Sequence, residues 1–196
     1  MYRLTVDCTT MNYYFQKLKC SERLADVACE IRKNHNVWGS FKGLFGLAGD
    51  ELITITQAQV TDSTTFNVVE SQVWQPTARP TTSTPLSKEG LYVFRQFVTQ
   101  PEHLPAMVEL STEAWLTFES AENFRAQPMG LFQPADLQQD AEAHGNVTLT
   151  LLTWYDGFSS WETSRSPDPH AQENFHKRHQ LTQSTSAIAT RLVLDA

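Results

Sequence analysis

The chain opens on an alternation of apolar and polar positions. Tyr2, Leu4, Val6 and Cys8 are separated by Arg3, Thr5 and Asp7, the period-two pattern of a half-buried strand. Leu24, Val27, Ala28 and Ile31 then recur at i, i+3, i+4 and i+7, which puts an apolar stripe on a helix. That helix is expected to begin near Asn12 or Ser21, run to Lys33 and stop at Asn34-His35-Asn36. Residues 37–45 and 52–59 read as strands about a turn at 46–50, and residues 66–74 as a further strand.

A second stretch has the same order. Residues 91–98 are apolar on both faces, as in a strand covered on both sides. Pro101 and Pro105 suit the first turn of a helix, where a missing N–H costs little. Leu104, Val108, Ser111, Trp115 and Phe118 form that helix's stripe, which assigns Trp115 to a core. Residues 129–132 and 147–155 read as strands. Residues 157–180 read as helical, broken at Pro167-Asp168-Pro169, and 185–194 as a closing strand. The Gln- and Asp-rich stretch 134–144 reads as a surface excursion.

Between the two stretches, residues 76–85 hold three prolines, four threonines and a serine, which disfavours any regular element. The expected organisation is therefore a half at 1–75, a linker at 76–89 and a half at 90–196. Gly43-Leu44-Phe45 is echoed by Gly130-Leu131-Phe132, which together with the shared order predicts an internal duplication. The second half reads β-α-β-β-α-β, the ferredoxin-like split unit. The first reads β-α-β-β-β, its second helix reduced to a turn at 61–64. A sheet covered by helices on one face must still bury the other. The predicted fold class is α+β: two ferredoxin-like halves in one chain, their antiparallel sheets face to face as a barrel. Because each half supplies the other's partner sheet, a monomer is expected rather than an obligate dimer.

Composition adds exclusions. Net charge is −7 with no Lys/Arg cluster, so neither nucleic acid nor an anionic membrane surface is an expected partner. No apolar run reaches the about 20 residues that span a bilayer, and residues 1–7 lack the apolar region of a signal peptide. Cys8, Cys20 and Cys29 form neither a metal spacing nor a disulfide framework, consistent with reduced thiols in the cytoplasm. Glu173, His176 and His179 lie three apart, with His170 three before Glu173, but without the i, i+4 histidine pair of a zinc helix. No metal and no cofactor is expected. No phosphate loop or nucleophile elbow is present either.

The candidate chemistry rests on three residues. Arg95 sits mid-strand between Phe94 and Phe97, where a guanidinium needs an acid or an anionic ligand. An anchor for a carboxylate or enolate inside the barrel is one reading, a structural ion pair the other. Asp7 and Glu70 are the candidate partners. Trp154 and Tyr155 end a strand ahead of a helix and suit the wall of a site for a flat ligand, or equally a core.

Leu91-Tyr92-Val93-Phe94-Arg95-Gln96-Phe97 resembles the opening strand of NIPSNAP-like domains, in which an arginine is followed two positions later by an aromatic. Leu152-Thr153-Trp154-Tyr155-Asp156 resembles that family's strand end, without the residue that separates its two aromatics. Gly130-Leu131-Phe132 fits the strand between, and Ser164-Arg165-Ser166-Pro167-Asp168-Pro169 resembles the helix before an Asp-Pro turn. The resemblance covers about residues 90–194 and implies the dimeric α/β barrel superfamily. It implies a protein that binds a small apolar or aromatic anionic ligand between sheet and helices. The alternatives are a cofactor-independent monooxygenase or heme-degrading enzyme of the same superfamily, and a protein-interaction scaffold. The heme reading calls for a histidine on the helix facing the pocket, and none stands about ten residues beyond Trp154.

Overall fold

The computed structural model describes residues 11–166 and 169–194, the side chain of His170 excepted. The strand expected over residues 2–8 lies outside the described residues.

The first described element is a strand, β1 (Tyr13–Cys20), where a helix starting at Asn12 was one expectation. Its alternation is unbroken along β3, but its apolar residues change face midway. Tyr13 and Phe15 belong to one core cluster, while Leu18 and Cys20 belong to another on the opposite face. The extra residue at the Lys17/Leu18 register shift is Val69, on the neighbouring strand. The helix α1 (Leu24–Asn34) buries the expected Val27, Ala28 and Ile31. The strands β2 (Val37–Phe45), β3 (Glu51–Thr56) and β4 (Phe66–Pro76) follow, with residues 57–65 forming no helix.

The second half begins with β5 (Leu91–Thr99), a single 3-10 turn and α2 (Leu104–Glu119). Then come β6 (Ala126–Pro134), α3 (Leu137–His144) and β7 (Val147–Tyr155). The helix α3 replaces the expected surface excursion. Asp136 caps it by accepting from the Gln139 N–H at 2.9 Å, and Gly145 ends it at φ 70°. The chain closes with α4 (Phe158–Thr163), α5 (Pro169–Gln180) and β8 (Thr182–Leu192).

The eight strands of the described residues close into one antiparallel barrel in the order β1-β3-β2-β8-β5-β7-β6-β4. Cut at the β2–β8 and β4–β6 seams, it gives two groups, β4-β1-β3-β2 and β8-β5-β7-β6. Each has the fourth-first-third-second order of a ferredoxin-like sheet. Closure leaves no strand with a free edge.

The barrel interior is filled with rings. Phe15 stacks on Trp74 at 4.3 Å and Trp74 on Phe132 at 5.2 Å. Phe132 meets Tyr13 and Trp38 edge-on, each at 5.6 Å. The segment between β4 and β5 is tied down rather than free. Leu86 packs on this core and donates its N–H to the Trp38 carbonyl at 2.8 Å.

A glycine lying against the phenylalanine two residues on recurs in the two groups, but not at the expected Gly43-Leu44-Phe45 triplet. A Cβ on Gly39 would stand 2.7 Å from the Phe41 ring, and one on Gly130 would stand 2.3 Å from the Phe132 ring. Each glycine directly follows a shift in register, Val37/Gly39 with β3 and Pro128/Gly130 with β7. Gly39-Ser40-Phe41 is therefore the positional match of Gly130-Leu131-Phe132. The Gly43-Leu44-Phe45 triplet lies four residues too far along, and Phe45 is 67% exposed whereas Phe132 is fully buried.

Candidate functional site

Alternation along a strand sends neighbouring residues to opposite faces. On β5 it sends Tyr92 and Phe94 into the barrel and Val93, Arg95 and Phe97 outward. On β7, Thr153 and Tyr155 share that outer face, while Trp154 packs against the barrel core. The helices α2 and α5 cover the outer face. Ala171, Asn174 and Arg178 of α5 recur at i, i+3 and i+7 and are all buried. Arg178 Nη1 donates to Ser111 Oγ of α2 at 3.1 Å, and Asn174 donates to Glu113 at 3.3 Å.

A cavity of about 490 Å³ opens between this sheet face and its helices. Phe97, Trp115, Phe118, Tyr155, Trp161 and Phe175 give it aromatic walls. Arg95 reaches it from the sheet, Arg178 from α5 and Arg165 from the segment after α4, and among the described residues no carboxylate lines it. Arg95 is half-buried, and Arg178 is only 6% exposed. Among the described residues neither guanidinium forms an ion pair. The Arg178 guanidinium instead lies over the Phe97 ring at 4.5 Å and the Phe175 ring at 5.0 Å.

The electrostatics follow from this arrangement. Burial, followed by the Arg95 charge, brings Arg178 down to about 10, with Tyr155 acting weakly in the other direction. Burial raises the Tyr155 phenol, against the lowering influence of Arg95, Ser164, Thr153 and Arg178. Three guanidiniums, those of Arg95, Arg165 and Arg178, thus line the cavity beside a phenol that burial keeps protonated at neutral pH. The indole Nε1 of Trp161 is buried without a hydrogen-bond partner among the described residues. Arg165 lies over that ring at 5.4 Å.

Of the residues singled out in sequence, the structure brings Arg95 and Tyr155 together and sets Trp154 apart. Trp154 Nε1 donates to the Glu89 carbonyl at 2.8 Å, and the Lys88 ammonium lies 4.7 Å above its ring. Gly90, at φ 144°, lets the chain pass there, since a Cβ would stand 2.5 Å from the indole nitrogen. Arg95 does not point into the barrel interior. Asp7 lies outside the described residues, and Glu70 pairs with Lys17 at 3.2 Å. Glu173 pairs with Lys177 at 2.8 Å, and His179 lines the cavity from its exposed side.

The first half has a counterpart of this site, and it is closed. In β2–β3–β1, Gly39 pairs Ile55 and Ile55 pairs Phe15; in β6–β7–β5, Gly130 pairs Leu152 and Leu152 pairs Phe94. Phe15 therefore matches Phe94, and Gln16 matches Arg95. Gln16 is fully buried and clasps one residue of the 57–65 loop. It donates to the Val60 carbonyl at 2.8 Å and accepts from the Val60 N–H at 2.7 Å. A neutral amide, satisfied by the chain itself, stands where the second half has a cation without an ion-pair partner.

No protein-family profile matches the chain, and no curated protein matches it. Solved structures do. An uncharacterised ferredoxin-fold protein related to antibiotic biosynthesis monooxygenases, from Listeria monocytogenes, is 10% identical with a TM-score of 0.55, covering 93% of this chain and 95% of that one. The heme-degrading enzyme of Listeria monocytogenes is 8% identical with a TM-score of 0.56, covering 92% and 98%. An anthrone oxidase-like protein is 8% identical with a TM-score of 0.56, covering 95% and 96%. At such identities the likeness establishes the fold alone, a ferredoxin-like barrel. Among the described residues no helix is long and apolar enough to cross a membrane.

Proposed function

We propose that this protein binds a small aromatic anion in the cavity between the second-half sheet and its helices. The observation that carries this is the pair Arg95 and Arg178, which with Arg165 face one ring-lined cavity that has no carboxylate among its described lining residues. A cation held away from water is costly unless an opposite charge meets it. The six aromatic walls supply apolar and quadrupolar contact for a flat ring system, and about 490 Å³ lies within the range of small-molecule sites. Kinship with NIPSNAP-like proteins is proposed on Arg95 and Phe97, which both line this cavity, and on the strand end Trp154-Tyr155. The halves 1–75 and 90–196, joined by 76–89, are proposed as products of one duplication, on their common strand order.

A second reading is oxygenation of such a ligand without a cofactor, or heme breakdown. It is favoured by the fold neighbours and by the protic Tyr155 and Trp161 beside Arg95. For heme, His179 is the histidine lining the cavity among the described residues, and it stands at the exposed side. A thermal-shift panel of aromatic acids, their amides and hemin tests these readings. An aromatic acid at a hundred times its Kd adds about 2.7 kcal/mol of stability, or roughly 5–10 °C in Tm for a chain of this size. Failure of every aromatic acid to shift Tm at millimolar concentration refutes the binding proposal. A visible absorbance band with hemin, or oxygen uptake with an aromatic acid, supports the second reading.

A further inference from the structure

We infer that Arg178 is the residue that selects for a negative charge in the ligand, and that the group it selects is a carboxylate held at the α5 end of the cavity. The inference rests on the aromatic-anion reading and assigns its charge selectivity to one side chain. Sequence alone favours Arg95, which stands out in an apolar strand, and places Arg178 on a solvated face beside Lys177.

The structure reverses that ranking. Arg95 is half-buried, so water screens it in part, whereas Arg178 is 6% exposed. A charge interaction gains strength as the local dielectric falls. Arg178 is also pre-organised. Its Nη1 is fixed on Ser111 at 3.1 Å, and the guanidinium lies over Phe97 and Phe175. With Nη1 on Ser111 and two rings against the group, its other N–H donors are the part left for a ligand. An edge-on fork of donors matches the two oxygens of a carboxylate. The neighbouring charged groups are Arg95 on β5, Glu113 on α2, Arg165 after α4, and Lys177 and His179 on α5. Glu113 is exposed and engaged by Asn174 at 3.3 Å, and it does not line the cavity.

The probes are 2-naphthoate and 2-naphthamide, which share shape and rings and differ in charge, measured by calorimetric titration on the full chain. The wild-type protein is expected to prefer the acid by about tenfold or more, the worth of a hydrogen bond to a charged group. Arg178→Met is expected to bring that ratio close to one while leaving naphthamide affinity within about threefold. Arg178→Lys keeps the charge without the fork, and is expected to retain a preference for the acid with weaker acid binding. It also serves if the methionine variant does not fold. Equal losses for both probes mark Arg178 as a mere prop between α2 and α5, and a preserved preference in Arg178→Met assigns selection elsewhere. Either result overturns the inference while leaving the binding reading intact. Binding of neither probe by the wild-type protein refutes both.

Discussion

Phe132→Ala tests whether the two halves share one core. Phe132 belongs to β6 of the second half, yet its ring partners Tyr13, Trp38 and Trp74 all belong to the first, at 5.6, 5.6 and 5.2 Å. The side chain is fully buried. Truncating such a phenylalanine costs about 3–5 kcal/mol through lost transfer energy and the cavity left behind. The cost here lies at the upper end, because aromatic pairs add about 0.5–1.5 kcal/mol beyond area burial and Gly130 beneath the ring has no side chain to fill the gap. With a urea m-value of about 2 kcal/mol/M, the midpoint falls by roughly 2 M. Urea unfolding followed by tryptophan fluorescence reads this, since Trp38 and Trp74 report the first half and Trp115 and Trp161 the second. One cooperative transition, shifted down, is expected. Phe45→Ala is the control, because Phe45 is 67% exposed, and its cost is expected within about 0.5 kcal/mol. A loss below about 1 kcal/mol for Phe132→Ala, or separate transitions for the two halves, refutes the shared core.

Three more outcomes follow from the geometry. Burial pushes the phenols of Tyr13 and Tyr92 up to about 12, so the folded state holds those protons longer than the unfolded chain does. The stability tied to them is complete below pH of about 10 and is lost as pH rises towards 12, which spectrophotometric titration of Tyr13→Phe and Tyr92→Phe against the wild-type protein checks by loss of the late-titrating absorbance. Because Gln16 and Val60 close the first-half counterpart of the site, titration with an aromatic acid is expected to give one ligand per chain; two equivalent sites refute this. Because the barrel closes within one chain, light scattering at low micromolar concentration is expected to give a monomer of about 22.2 kDa, and a stable dimer contradicts it.

Apolar and aromatic runs bounded by turn signals were legible as strands in sequence. The ranges 37–45 and 147–155 agree with β2 and β7 residue for residue, and 91–98 is one residue shorter than β5. The β1 strand was not legible, because its inward positions are apolar only at Tyr13 and Phe15 and its outward positions only from Leu18 to Cys20, with Lys17 and Lys19 on the inward side and Gln16 on the outward side. The helix α3 is short and buries no residue, so it has no stripe; its signals were the Asp136 cap and Gly145. The duplication cue was legible as a composition and misleading as an alignment, since the functional unit is a glycine two residues before the phenylalanine that covers it. At the site, Arg95 could be found because a cation in an apolar strand is conspicuous. Arg178 is hidden among Lys177, His176 and His179, and only the spacing Ala171, Asn174, Arg178 betrays a buried stripe with a cation at its end. Trp154 and Tyr155 looked like one wall because they are adjacent, but strand alternation sends them to opposite faces.

The measurement that bears most directly on the central claim is a crystal structure of the protein soaked with 2-naphthoate. The expected density lies between β5 and β7 on one side and α2 and α5 on the other, with the carboxylate within hydrogen-bond reach of Arg178 and the rings beside Trp115, Phe118 and Tyr155. Density inside the ring-filled barrel or against Trp154, or a carboxylate pointing to solvent away from both guanidiniums, would contradict the account.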